Sequence, residues 1–315
     1  MRNDGTPIYE LSINARVAWQ AHSMSNIGSG GSNRLFPRRQ LLADGTETDA
    51  CSGNIEKHHH AAILAEYLDD AGQQLCPACA RRDSRRAAAL ATIPSMEEIL
   101  ECGMCDIHGF LVPAKNAVDG TMGRQRRGKH TLLDFSFALA LPGHFSESPQ
   151  LFTRMGDDAG DGQMVMKATA RSGEYALCIR YKCAGVGFDT NIWQMVIQDE
   201  AVRLVRHKAV LEALRDLLLS PTGALTAKML PHLTGLTGVI IYRTRAGRAS
   251  MYSPLEPDFA DQLQAIAMRQ GEECLRFKDV NEFSQQMEFL IGNTCPYTLG
   301  RRQLASNGVP HDSRQ

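Results

Sequence analysis

Residues 8 to 22 alternate: Tyr9, Leu11, Ile13, Ala15, Val17 and Trp19 fall on one side, and Glu10, Ser12, Asn14, Arg16, Gln20 and His22 on the other. A period of two predicts a strand with one buried and one polar face. The pattern then changes to helical spacing. Ser52 is placed to cap a helix from about Asn54 to Asp70, with Ala61, Leu64, Ala65 and Leu68 on one face. Alternation returns over Thr131 to Leu141, through Leu133, Phe135, Phe137 and Leu139. Residues Phe145 to Arg171 surround an acidic, glycine-rich tip (Gly156 to Gly162) and predict a projecting β-hairpin. Ser172-Gly173 is expected to turn into a further strand, Tyr175 to Lys182. Val202, Val205, Val210, Leu211, Leu214, Leu217 and Leu218 predict an amphipathic helix over Glu200 to Leu219. A short buried strand (Gly238 to Tyr242) and helices near Pro257 to Gln270 and Asn281 to Ile291 complete the pattern, and the polar tail beyond Gly300 is expected to fray. Strands and helices mix without regular βαβ winding, which predicts an α+β sandwich.

With 315 residues the chain can bury a substantial core. No apolar run is long enough for a membrane span and no secretory h-region opens the chain, so a cytoplasmic protein without membrane contact is expected. The net charge of -1 excludes a uniformly basic nucleic-acid binder. Basic residues are nevertheless clustered at Arg34, Arg38 and Arg39, at Arg81, Arg82, Arg85 and Arg86, and at Arg124, Arg126, Arg127, Lys129 and His130. Local basic patches on a neutral protein fit one groove that follows a strand.

Four of the nine cysteines stand out by spacing. Cys76-Pro77-Ala78-Cys79 and Cys102-Gly103-Met104-Cys105 are two CxxC knuckles separated by 22 residues. Each knuckle can place two thiolates on one metal, and two knuckles complete a tetrahedral sulfur site, so structural zinc is expected. Four sulfur ligands leave no open position for catalysis by that metal. Cys51, Cys178, Cys183, Cys274 and Cys295 read as buried or incidental thiols.

The loop from Ser25 to Arg34 contains Gly28, Gly30 and Gly31 but has neither dinucleotide nor Walker A spacing. Its amides and its Asn and Ser side chains suit phosphate or sugar, and a plain solvent loop is the other reading. Lys57 and His58 lie in the first turn of the helix begun at Ser52, where exposed amides favour an anion. His58, His59 and His60 cannot share one ion, because successive helix residues diverge by about 100°. Asp157, Asp158 and Asp161 lack the oxygen ligands of a calcium loop at Ala159 and Ala168, and read as a solvated tip. Met155, Met164 and Met166 flank that tip as flexible apolar side chains, suited to wedging between bases or to core packing. No paired carboxylates or nucleophile elbow emerge, so no enzyme is expected.

Together these residues resemble a known family. Asn26-Ile27-Gly28 with Gly31-Ser32-Asn33-Arg34, Ser52-Gly53 with Lys57-His58, and Cys105 to Leu111 are similar to motifs of the DevR-type backbone subunit of type I CRISPR surveillance complexes (Cascade). Phe152 to Met155, Ser172 to Tyr175, Gly223-Ala224 and Leu230-Pro231-His232 continue the likeness in the family's order, over roughly residues 8 to 245. The resemblance implies a single hand-shaped α+β domain: a modified RNA-recognition-motif (ferredoxin-like) palm, a helical zinc-containing fingers insertion over about 60–130, a thumb β-hairpin over about 143–171, and a flexible tail over 300–315. It implies a non-catalytic subunit that polymerises along guide RNA and presents it for pairing with target DNA. Its partners would be guide RNA, copies of itself and other Cascade subunits. Carried over by position, Asn26, Gly28, Gly30, Asn33, Arg34, Ser52, Gly53, Lys57, His58, Arg126, Arg127, Arg154, Met164 and Met166 would contact RNA. Cys76, Cys79, Cys102 and Cys105 would hold zinc in the fingers. The acidic tip departs from an RNA-facing thumb and would meet solvent or a neighbouring subunit. Two alternatives are a target-RNA endoribonuclease using Asp44 or Asp49, and a zinc-ribbon transcription regulator that binds duplex DNA.

Overall fold

Leu11, Ile13, Ala15, Val17 and Trp19, the apolar side of the first alternating segment, lie at the centre of the main core, each at most 1% exposed. The computed structural model describes residues 5–30, 34–112, 127–154 and 164–299. Its early strands are β1 (Thr6–Ile8), β2 (Glu10–His22), β3 (Asn26–Gly30), β4 (Arg34–Pro37), β5 (Arg39–Leu41) and β6 (Glu47–Cys51). Next come β7 (Phe110–Val112), β8 (Arg127–Lys129), β9 (Leu133–Phe135), β10 (Ala138–Arg154) and β11 (Met164–Tyr181). The last are β12 (Phe188–Asp189), β13 (Gln194–Met195), β14 (His232–Arg243), β15 (Glu273–Phe277) and β16 (Thr294–Pro296). The helices are α1 (Gly53–Asp70), α2 (Pro77–Ala80), α3 (Met96–Glu101), α4 (Gly103–His108), α5 (Glu200–Leu219), α6 (Phe259–Gln270) and α7 (Val280–Asn293).

The main sheet runs β15-β14-β2-β11-β10-β6-β5, with β3, β4 and β9 attached. Within it β14, β2, β11 and β10 are successively antiparallel. Helix α1 lies in the connection from β2 to β10, and α5 in the connection from β11 to β14. The two helices pack side by side over the apolar face of β2. On β14 the alternation divides two cores: Ile240 and Tyr242 join the main one, whereas Val239 and Ile241 meet Phe259, Leu263 and Ala267 of α6. The architecture is thus mixed α and β around an antiparallel sheet, as the sequence pattern predicts.

The polar side of β2 is not a solvent face. Glu10, Ser12 and Asn14 are buried beneath residues 248–256. Ser12 Oγ donates to the Ser250 carbonyl at 2.7 Å, Arg16 Nε donates to the Pro254 carbonyl at 2.7 Å, and Glu10 Oε1 accepts from the Ala249 amide at 3.0 Å. Side-chain polarity here matches backbone groups of a crossing segment rather than water.

Strand boundaries differ from the sequence reading at the hairpin. One strand, β11, runs through Ser172-Gly173 instead of turning there, and β10 runs on from Ala138 to Arg154. Irregular register between Ala140 and Phe145, and between Arg171 and Gly173, absorbs the bend, with Gly143 at φ +75°. The cysteine segment also differs. Cys79, Ala87, Ile99, Leu100, Cys105 and Ile107 belong to the same core as Leu64 of α1 and Leu211 of α5. Buried Asp106 of α4 clamps this segment: Lys129 donates to it, as do Arg206 Nη1 at 2.8 Å and the Gly187 amide at 3.0 Å. Arg206 also donates to the carbonyls of Leu100 and Glu101, at 2.9 and 2.6 Å, which closes the C-terminal end of α3.

Candidate functional site

Two short turns bring the knuckles together. Pro77 starts α2 directly after Cys76, and α4 starts directly after Cys102, so each pair straddles a helix N-terminus. The Sγ atoms of Cys76, Cys79, Cys102 and Cys105 all lie within 4.8 Å of one another, with Cys76 and Cys79 at 3.9 and 3.7 Å from Cys105. A tetrahedral Zn–S distance of about 2.3 Å requires sulfurs about 3.8 Å apart. Four reduced thiols at that separation fit a metal, and with every ligand supplied by sulfur the ion would hold two turns together. The other five cysteines are free thiols; Cys51, Cys183 and Cys295 are buried, and Cys178 and Cys274 half-buried.

The glycine-rich segment is a hairpin rather than a free loop. β3 pairs with β4, and Arg34 of β4 is in register with Lys167 of β11, which gives the polar backbone ladder partners. Gly28 turns the chain at φ +73° with open space around it. Asn26 uses its side-chain amide locally, Nδ2 donating to the Ser23 carbonyl at 3.0 Å. Arg34 is exposed and stacks its guanidinium 5.1 Å over Phe36; with Arg39, Phe145 and Ile27 they border a groove of about 600 Å³.

Helix α1 begins as predicted. Ser52 caps it, its Oγ accepting from the Asn54 amide at 3.3 Å. The helix is anchored to the glycine hairpin by Ser25. The Ser52 amide and Arg38 Nε each donate to Ser25 Oγ at 3.2 Å, and Arg171 Nη2 donates to the Ser25 carbonyl at 2.7 Å. Gly53 is buried against the carbonyls of Phe135 and Ser136, where a Cβ would collide with backbone. Its place in the sequence thus has a packing cause.

Asn54, Lys57, His58, Ala61, Ala62 and Ala65 form one stripe of α1, at the spacing of a single helix face. The stripe is one wall of a groove of about 240 Å³, and the opposite wall is the segment between the knuckles, including Arg82 and Arg86. Lys57 is half-buried; burial is the larger cause of its lowered pKa, and the positive charge of Arg86 adds to it. The three consecutive histidines diverge as expected. His58 is exposed, whereas His60 is fully buried with its Nδ1 2.9 Å from His108 Nε2. Burial lowers the His60 pKa to about 3.

Not all predicted positions fall within the described residues. Asn33, Arg126, Met155 and the acidic tip lie outside them, and Gly30, Arg127, Arg154 and Met164 are described by backbone alone. Arg154 and Met164 are paired in register at the outer end of the β10–β11 hairpin, and Met166 is half-buried opposite Phe152. Asp49, one aspartate of the cleavage reading, is fully buried; Oδ1 accepts from Arg171 at 2.8 Å and Oδ2 from the Tyr175 hydroxyl at 2.7 Å. Asp44 is exposed and caps its own turn, accepting from the Thr46 amide at 2.9 Å. Sequence reasoning missed Arg171, Arg203, Arg206 and His207 as buried residues, because charge on an otherwise apolar face gives no sign of which carbonyls it will meet.

The fold and site define an antiparallel-sheet α/β protein in which a four-thiol cluster adjoins a cationic groove. Residues 13–262 match the profile of the CRISPR-associated negative auto-regulator DevR/Csa2 family, and the chain belongs to that family. Among solved structures it is similar to a chain of a "CRISPR RNA-guided surveillance complex, pre-nicking", at 12% identity, covering 90% of this chain and 99% of that one, with a TM-score of 0.48. It is also similar to a chain of a "CRISPR RNA-guided surveillance complex", at 12% identity over 90% and 98% of the two chains, with a TM-score of 0.46. No curated protein matches it. Among the described residues no helix is long and apolar enough to cross a membrane.

Proposed function

We propose that this chain is a non-catalytic backbone subunit of a type I CRISPR surveillance complex, which grips guide RNA by its phosphates and leaves the bases free to pair with target DNA. Family membership supports the complex. The order β14-β2-β11-β10, with α1 and α5 as the two crossovers, is that of a split βαβ (ferredoxin-like) unit and supports an RNA-recognition-type palm. The cysteine segment would be the zinc-bearing fingers and the β10–β11 hairpin the thumb. Copies of the chain would line up along one RNA beside other subunits of the complex in the cytoplasm.

One observation carries the RNA grip. Ser25 joins the glycine hairpin to the start of α1, so two anion-binding devices separated by some twenty residues form one platform. Such a platform contacts backbone rather than base edges, which suits a strand whose sequence varies. The reading predicts that Lys57→Ala with His58→Ala reduces co-purifying RNA without loss of folding. Unchanged RNA content in the folded variant would overturn it, and preference for duplex DNA would favour the regulator reading.

A further inference from the structure

The groove between α1 and the inter-knuckle segment is more than one wall of positive charge. Its floor is apolar, made by Ala61, Ala65 and Met104, and cations stand on both rims. Lys57 and His58 come from α1, and Arg82 and Arg86 from the facing turn. Neither the Lys57 nor the Arg82 side chain makes a hydrogen bond or ion pair among the described residues, and the Arg86 guanidinium reaches only the Ser84 carbonyl, at 3.2 Å. Asp83 also borders the groove, yet its carboxylate is held from outside: Arg85 Nη2 donates to it at 2.7 Å and Nε at 3.1 Å. The rim cations therefore have no protein counter-charge in contact.

The facing wall is held in an unusual backbone conformation. Arg82 (φ 60°) and Arg86 (φ 52°) are both non-glycine residues in the left-handed region. Such residues persist where the surroundings over-determine them. For Arg82 the surroundings are the first knuckle. The Arg82 amide donates to the Cys79 carbonyl and the Asp83 amide to the Ala78 carbonyl, both at 2.9 Å. Helix α2 has only four residues and no side-chain cap, too little to stand alone. Cys79 is at once a thiol of the cluster and part of the groove wall.

We propose that this groove is a subsite for one nucleotide of single-stranded RNA, its phosphate on Lys57, His58, Arg82 and Arg86 and its base on the alanine–methionine floor, built by the metal-bound cysteine cluster. The proposal rests on the guide-RNA reading and deepens it, adding the two arginines and the floor to the contacts and making metal occupancy a condition of the grip. An apolar floor accepts any base face, so the subsite suits a strand of variable sequence.

The test is binding of a fluorescent single-stranded RNA to the purified full chain, titrated at several salt concentrations. Arg82→Ala with Arg86→Ala should weaken binding about tenfold and flatten the log–log salt slope by about one phosphate contact or more. Arg81→Ala, on the same segment but outside the groove and leaving the Arg85–Asp83 pair intact, should change binding much less. Ala62→Trp, which fills the groove and leaves the charges, should weaken binding with the salt slope retained. Chelation of the metal should weaken RNA binding by the parent chain about as much as Arg82→Ala with Arg86→Ala does, and add little in that variant. A loss of binding on Arg81→Ala as large as that on Arg82→Ala with Arg86→Ala, or full additivity of chelation with Arg82→Ala and Arg86→Ala, would overturn the subsite. If Lys57→Ala with His58→Ala also leaves RNA binding intact, the guide-RNA reading itself fails; if that variant loses binding and Arg82→Ala with Arg86→Ala does not, only the subsite falls.

Discussion

The hydroxyl of Ser25 accepts a hydrogen bond from the backbone amide of Ser52 at 3.2 Å, across 27 residues of sequence. Ser25 is fully buried and precedes the glycine hairpin, and Ser52 is the N-cap of α1. One hydroxyl thus fixes the position of the glycine hairpin relative to the start of α1.

Ser25→Ala removes the acceptor for both Ser52 and Arg38, leaving buried donors unpaired at about 1–3 kcal/mol. The expected outcome is a lower urea midpoint together with weaker RNA binding in the folded variant. A variant that loses stability but binds RNA with parental affinity would show that the junction does not position the grip.

Asp49 is the only carboxylate within 4 Å of the buried Arg171 guanidinium among the described residues. Asp49→Ala should cost about 3–5 kcal/mol, because it strands a buried charge. Chemical denaturation measures this directly. A stable Asp49→Ala protein would contradict the packing role and reopen the aspartate as a functional group.

Metal analysis of the purified chain should find about one zinc per molecule, and Cys102→Ser should lower that content. A metal-free protein of undiminished thermal stability would refute the cysteine cluster as a metal centre.

Stability should fall on acidification. Burial lowers the pKa of His22, His60 and His207 from 6.5 to about 3 each. The unfolded chain binds their protons first, so stability is lost as pH drops from about 6.5 toward 3. Glu56 opposes this: burial raises its pKa from 4.5 to about 7, so its contribution is present below 4.5 and lost as pH rises through 7. Glu56→Gln should therefore stabilise the protein near pH 8 and steepen its loss of stability on acidification. Parallel pH profiles for the parent and Glu56→Gln would contradict the assignment.

The elements legible in the sequence were those in which one periodicity ran unbroken. The strand over Glu10 to His22, the helix capped by Ser52 and the helix from Glu200 to Leu219 match their patterns closely. The four cysteines were legible because two CxxC pairs are the spacing that lets four thiols converge on one point. The glycine segment was misjudged as a loop because its glycines and polar residues hide the local β3–β4 pairing, and the β11 partner of Arg34, Lys167, lies more than a hundred residues away. Arg82 and Arg86 were visible only as members of a basic cluster. Which of the cluster's arginines face the groove depends on a left-handed turn that glycine would ordinarily mark and here does not.

The central claim is most directly tested by the nucleic acid that accompanies the chain when it is expressed with a source of guide RNA. Extraction and sizing should yield single-stranded RNA of one discrete guide length, depleted by Lys57→Ala with His58→Ala. A folded protein that carries no RNA, or that retains duplex DNA in its place, would contradict the account.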